Sequence, residues 1–393
     1  MKNENDSKNH KLRLLIDVRP CCDEKLTGIG RTTKEILEAW LKQNKGELDV
    51  TAYSILRDKN GEAMLYKNLP FLSPEHMLVK TTESRPKYYF WRLFPTACDS
   101  AFRSADLFLS FSYTMPDTVR GKKMLFVYDM VVERFPETMD RRNRIILSHT
   151  LQHACRKADC ILTISEFSKR EICECMHVPE EKVRVIPLAA DLQVFHPDYQ
   201  ADEIKQCKQR YGIDQPYFLC AGTIEPRKNT MRLLDAYARL LERLPDAPKL
   251  VLTGKKGWLY EDILARMEKE DLHGRVIYTE FVPDTDLALL MAGARAFVFP
   301  SLYEGFGLPP LEAMCCGTPV LSSSAASLPE VVGDAGLTVD PLNADEIAAQ
   351  LLTLAADDAL CAKLSRRGLA RSRSFSWDRS AAALDEAVKS LFV

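Results

Sequence analysis

Short apolar runs alternate with stretches of helical spacing along this chain, and they do so twice, on either side of a polar interval. In the first half the spacing predicts strands at Leu12–Val18, Leu48–Ile55, Leu107–Ser110, Met124–Tyr128, Cys160–Ile164 and Val183–Pro187. Helices are predicted at Thr32–Leu41, Asn143–Lys157 and Glu166–Met176. The polar stretch Asp191–Gly212, with His196-Pro197-Asp198, reads as a linker. Beyond it, strands are predicted at Tyr217–Ala221, Lys249–Thr253, Val276–Tyr278, Ala296–Phe299 and Pro319–Ser322. Helical patterns lie between them at Asn229–Arg243, Tyr260–Lys269, Leu287–Gly293 and Leu311–Cys316, and a last amphipathic helix covers Ser380–Leu391. Alternation of this kind implies parallel sheets with helices on both faces, so the expected fold is α/β in two halves.

A chain of 393 residues exceeds one ordinary core and suits two domains. A net charge of −2 calls for neither nucleic acid nor an anionic surface as a global partner. The first residues, Met1–Lys11, are polar, and no run reaches membrane-spanning length, so a cytoplasmic protein is expected. Its twelve cysteines lack metal-ligand spacing and read as buried thiols, and no metal site is predicted.

The chemistry-bearing run is Pro300-Ser301-Leu302-Tyr303-Glu304-Gly305-Phe306-Gly307-Leu308-Pro309-Pro310-Leu311-Glu312, a strand end, a tight turn and a helix start. Gly305 and Gly307 allow close backbone approach, and a helix start favours an anion, which reads as a phosphate seat made by the amides of Gly305, Phe306, Gly307 and Leu308. Two carboxylates beside such a seat would repel phosphate. Hydroxyls of a sugar or ribose resolve the conflict, because a carboxylate accepts their hydrogen bonds strongly. A second constellation, Gly222-Thr223-Ile224-Glu225-Pro226-Arg227-Lys228-Asn229, puts two cations after a strand, where open α/β sheets bind ligands. Basic residues at a helix start oppose its dipole; a bound diphosphate would explain them.

The first run resembles the Glu-x7-Glu motif of retaining glycosyltransferases of the GT-B architecture, family 4 (group 1), and the second resembles their Gly-x5-Lys-Asn segment. That resemblance implies two Rossmann-like domains facing across a cleft, at 1–195 and 214–375, with residues 376–393 returning to the first. It implies diphosphate binding by Arg227 and Lys228, ribose binding by Glu312, and a Glu304 that faces the donor sugar. Phe281-Val282-Pro283-Asp284-Thr285-Asp286 looks like the segment along the nucleotide base, with Val282 as a backbone contact. The Asp284-Thr285-Asp286 sequence has the form of a metal motif, but stands where an acid caps a helix, so a metal-independent enzyme without a cofactor is expected.

In the first half, Thr27-Gly28-Ile29-Gly30 reads as a glycine loop before the first helix, facing the cleft, or as a plain flexible turn. A nicotinamide site there is disfavoured: the glycines come late after the strand and Thr33 replaces the third. Phe126-Val127-Tyr128-Asp129 ends a strand with an acid; the family commonly has histidine at Tyr128, whose phenol would donate to a sugar hydroxyl, and Asp129 is a candidate acceptor contact. Ser165 in Ser165-Glu166-Phe167-Ser168-Lys169 reads as a helix cap. Arg85–Phe94 mixes cations with aromatics, as a helix with its aromatic face packed inside or as a peripheral contact with the inner face of the cell membrane. Asp17-Val18-Arg19 and Ile186-Pro187-Leu188 look most like bacterial mannosyl- and rhamnosyltransferases of surface polysaccharide assembly. The expected reaction is transfer of a hexose, with GDP-mannose the first guess, to a glycan or lipid-linked glycan. A sugar-nucleotide epimerase of the same architecture is the alternative.

Overall fold

The computed structural model describes residues 11–57, 59–93, 99–113, 115–116, 118–138 and 141–393. The first half is a seven-stranded sheet of β1 (Leu12–Asp17), β2 (Leu48–Leu56), β3 (Met77–Thr81), β4 (Leu107–Ser110), β5 (Lys122–Phe126), β6 (Cys160–Thr163) and β7 (Val183–Val185). Its spatial order is β3-β2-β1-β4-β5-β6-β7. A six-stranded sheet follows, of β8 (Tyr217–Ala221), β9 (Lys249–Thr253), β10 (Val276–Tyr278), β11 (Ala296–Phe299), β12 (Val320–Ser323) and β13 (Leu337–Val339), ordered β10-β9-β8-β11-β12-β13. Every pairing is parallel. In each sheet the chain winds outward from its first strand and then crosses to the other side. The reversal falls between β1 and β4 and between β8 and β11, and both crevices open at carboxyl ends of strands.

The strands at these crevices are short and mostly apolar because both faces are covered: all of Leu107–Ser110, Tyr217–Ala221 and Ala296–Phe299 is buried. Several expected bounds shift. The stretch read as a linker holds a helix, Ala201–Arg210, started by a capping box of Gln200 and Glu203. Strands Met77–Thr81 and Leu337–Val339 were not legible, the first because it is only half-buried and lacks a strong alternation. The helix after the glycine run starts at Leu308 rather than Leu311 and ends at Cys315, with both prolines in its first turn.

The final helix, Trp377–Lys389, lies along the first, Gly28–Gln43. Trp40, fully buried, donates from Nε1 to Asp385 at 3.1 Å, and Gln43 Nε2 donates to the Asp378 carbonyl at 2.9 Å. Ser380 Oγ donates to the carbonyl of Pro187. The C-terminal end of the chain is thereby fastened to the N-terminal half. In the helix Arg85–Leu93, Tyr88 packs against the core while Tyr89 and Phe90 are about half-exposed, contrary to the inward face expected of them; the Trp91 side chain and Phe94 lie outside the described residues. Among the described residues no helix is long and apolar enough to cross a membrane.

Candidate active site

The loop after β8 begins at Gly222, whose φ of +153° suits a residue without a Cβ. It then makes a 3-10 turn, Pro226–Lys228, and Asn229 sits in the left-handed region at φ +62°. Asn229 tolerates that conformation and uses it, donating from Nδ2 to the carbonyls of Pro300 at 2.9 Å and Pro341 at 2.6 Å. It thus locks the cationic turn to the loop after β11. Local sequence pattern around Asn229 gives no sign of this role.

Within the locked loops, Lys228 Nζ lies 2.6 Å from Glu304 Oε1 and 5.0 Å from the centre of the Phe299 ring. Arg227 reaches the Tyr303 carbonyl at 2.7 Å, Glu225 at 2.6 Å and Glu304 at 3.4 Å. Ser301 Oγ donates to Glu304 at 2.7 Å. Burial pushes the Glu304 carboxyl up, but Lys228 and Arg227 outweigh it and hold it below the usual glutamate value. Glu304 therefore stands ionised on the two cations, where the sequence suggested only that it faced a sugar.

The glycines of this loop serve a purpose other than the one expected of them. A Cβ on Gly305 would meet Asp129 Cβ and the Tyr128 carbonyl at 2.9 Å, and one on Gly307, at φ +116°, would meet Leu328 Cδ2 at 2.7 Å. The space beside both is filled by protein. The carbonyl of Gly305 accepts from Ser165 Oγ at 2.7 Å and Ser168 Oγ at 3.0 Å, so the loop carrying Glu304 is clamped to the first half. Ser165 also caps its own helix, accepting from Ser168 N. Pro309 and Pro310 have no N–H, so the donors at this helix start are the amide of Leu308 and the loop amides of Gly305, Phe306 and Gly307.

Glu312 projects from the second turn of Leu308–Cys315, buried, and burial raises its carboxyl to about 7; Arg31 opposes this while Asp284 and Asp191 add to it. Asp284 and Asp286 do not cap the helix Asp284–Ala292, contrary to expectation. Pro283 holds the N-cap position, and the acids take cations instead, Asp284 pairing with Arg31 at 3.1 Å and Asp286 with Arg210 at 2.6 Å and the Tyr211 hydroxyl at 2.6 Å. Val282 is buried in the core. Beside it Phe281 is exposed, with Lys25 Nζ and Lys255 Nζ at 5.0 and 5.1 Å from its ring centre. Among the described residues no three His, Cys, Asp or Glu side chains are placed to share a metal ion.

Gly28 and Gly30 do not form a loop. Thr27 caps the helix by accepting from Gly30 N at 3.2 Å, so both lie in its first turn; a Cβ on Gly30 would meet the Pro20 carbonyl at 2.4 Å, while Gly28 faces open space. Gly30 is needed for packing. Tyr128 is also reassigned: its ring is buried, stacked on Phe126 at 4.6 Å and edge-on to Tyr113 at 5.8 Å, so the phenol is in the core and not offered to a sugar. Asp129 does face the crevice. Its carboxyl accepts from Val131 N at 3.1 Å, is pushed up by burial, and shares with Arg227, Glu225, Tyr113 and Ile29 the wall of a cavity of about 320 Å³.

Two parallel-sheet Rossmann-like halves, meeting at their switch points around a cation pair and two buried glutamates, define the GT-B class of fold. The chain belongs to the group 1, family 4 glycosyltransferases: residues 203–371 match the model of "Glycosyl transferases group 1" and residues 110–194 that of "Glycosyltransferase Family 4". It is 39% identical over 255 residues to the O-antigen chain mannosyltransferase B of Escherichia coli, covering 64% of this chain and 66% of that protein. A serotype-specific mannosyltransferase WbdA of E. coli is 36% identical over 227 residues, 57% of this chain and 28% of that one, so the chain spans only part of the curated relatives it matches. The fold is that of HepE from Anabaena, solved with UDP and glucose (TM-score 0.72, 19% identity, 96% and 100% of the two chains). It is also that of WaaG, a glycosyltransferase involved in lipopolysaccharide biosynthesis (0.68, 16%, 95% and 98%). These relatives lend no support to the epimerase alternative.

Proposed function

We propose that the chain transfers a hexose from a sugar nucleotide to an acceptor hydroxyl in the crevice between the halves, with retention of configuration and without a metal. The carrying observation is the convergence of Arg227 and Lys228 on the single carboxylate of Glu304 at the switch point of the second sheet. A cation pair held by buried hydrogen bonds supplies preorganised positive potential for a departing diphosphate. In the reaction the bond from the anomeric carbon to the diphosphate oxygen breaks and one to the acceptor oxygen forms. The acceptor's proton passes to the leaving phosphate, and nucleoside diphosphate and glycoside result.

On this reading Glu304 turns from its cations toward the donor sugar as the diphosphate takes them, Glu312 receives the ribose hydroxyls, and Asp129 faces the acceptor. The names of the relatives support mannose as the sugar, GDP-mannose as the first donor to test, and surface polysaccharide as the product. The chain would work at the cytoplasmic face of the membrane, touching it through the exposed Tyr89 and Phe90 beside Arg85 and Lys87. Vesicle co-sedimentation checks that contact. Screening sugar nucleotides for thermal stabilisation identifies the donor, since a ligand at a hundred times its Kd adds about 2.7 kcal/mol. Glu304→Ala and Lys228→Ala should nearly abolish transfer. Wild-type turnover in both would overturn the site.

A further inference from the structure

Arg31 carries no sequence signature of a site, yet it is the cation that crosses between the halves on the Glu312 side. It sits in the first turn of Gly28–Gln43, and its Nη1 lies 3.1 Å from Asp284 Oδ2 and 3.8 Å from Glu312 Oε1, both on the second half. The first distance is a close ion pair. The second is longer than a hydrogen bond, so the Glu312 carboxylate feels the charge while keeping its oxygens open to accept from something else. A cavity of about 10 Å³, room for one water, lies at this point, lined by Arg31, Glu35, Asp191, Leu308, Glu312 and Trp377. Buried carboxylates are ordinarily hydrogen-bonded, and one left with acceptor capacity beside an interdomain cavity is placed for a polar ligand.

We propose that Arg31 is a positioning residue for the donor: reaching from the first half, anchored on Asp284, it holds the Glu312 carboxylate ready for the vicinal hydroxyls of the nucleotide ribose. This rests on the proposed sugar-nucleotide reading and adds to it a residue from the acceptor-side half, so that donor recognition requires the halves to meet. The electrostatic surroundings agree with it. Glu312 faces Arg31 from the first helix, Asp284 from Asp284–Ala292, Asp191 from the segment joining the halves, and the thiols of Cys315 and Cys316 on its own segment; Glu35, further along the first helix, pairs with Lys34 at 3.2 Å. With burial and both aspartates acting against ionisation, Arg31 is, among the described residues, the nearby group that favours the charged form that hydroxyls prefer.

The test is calorimetric binding of intact GDP-mannose and UDP-glucose to the full chain on both sides of about pH 7, without acceptor. These diphosphate diesters do not titrate near neutrality, so the midpoint of the pH dependence reads the protein. Wild-type affinity should strengthen as pH rises through that midpoint, and Glu312→Gln should flatten the dependence. Arg31→Met should weaken binding and move the midpoint up by about one unit, Arg31→Lys should move it less, and Asp284→Asn should move it down. Weaker binding in Arg31→Met with an unmoved midpoint, or a dependence that survives Glu312→Gln, overturns the role of Arg31. Binding of neither sugar nucleotide to the wild type at any pH overturns the donor reading itself.

Discussion

The two glutamates of the Glu304 to Glu312 run differ by environment rather than by chemistry. Glu304, on Lys228 and Arg227, has its carboxyl depressed below the usual value, whereas Glu312, buried with only a longer contact to Arg31, is raised to about 7. The stability consequences have opposite sign. A depressed acid contributes stability that is present above its unfolded value and lost as pH falls through the folded one. A raised acid binds its proton more tightly when folded, so stability is full below about 4.5 and declines as pH rises toward about 7. Glu312→Gln should therefore stabilise the chain above neutrality by about 3 kcal/mol, from the size of the shift, and make no difference in acid. Thermal melts of the two proteins across this range check it, and parallel profiles would sink the assignment. Glu304→Gln, which keeps the shape but loses the charge, should lower kcat by about 10²-fold or more while the nucleoside diphosphate Kd moves far less, because the charge counts where it develops in the transition state. Equal loss in both would make Glu304 a binding residue.

At the scale of elements, function depends on where helices begin. The helix Glu166–Met176 is capped from its own half by Ser165 and from the other by Glu330, whose carboxylate accepts from Glu166 N at 2.9 Å and Phe167 N at 2.6 Å. A carboxylate on these otherwise unpaired amides meets the positive end of the helix dipole. Glu330→Ala should cost about 1 kcal/mol, and amide exchange at the start of this helix should speed up together with that of the 303–307 loop. Acceleration at the helix alone would mean that the cap does not couple the halves. The final helix acts at the same scale. Its contact runs through Trp40, and Trp40→Ala should cost about 3–5 kcal/mol of stability, read by denaturant titration, with Trp377–Lys389 loosening first.

For the whole molecule, the constraint that bears on how the halves meet is Gly305, pressed between them. An alanine there would drive its Cβ into Asp129 and the Tyr128 carbonyl, both from the first half. Gly305→Ala should hold the halves apart: the radius of gyration by X-ray scattering should rise and transfer should fall by at least about tenfold, since small misplacements of reacting groups are costly. An unchanged radius with normal turnover would show that the loop yields instead. The sequence by itself determined the two-sheet α/β plan, because continuous apolar runs too short for anything but buried strands recur between helical patterns in both halves. It also singled out the stretches around Arg227, Lys228, Glu304 and Glu312 as candidates for the chemistry, because glycines, cations and acids at strand ends have few other uses. It did not reveal that Glu304 rests on Lys228, that Tyr128 is core, or that Gly30 and Gly305 make room for protein. Nor did it single out Arg31 and Glu330. Those facts depend on which residues, remote in sequence, are brought into contact when the halves meet, and a side chain's charge state and neighbours are properties of that contact and not of local pattern. Only the tertiary structure decided them.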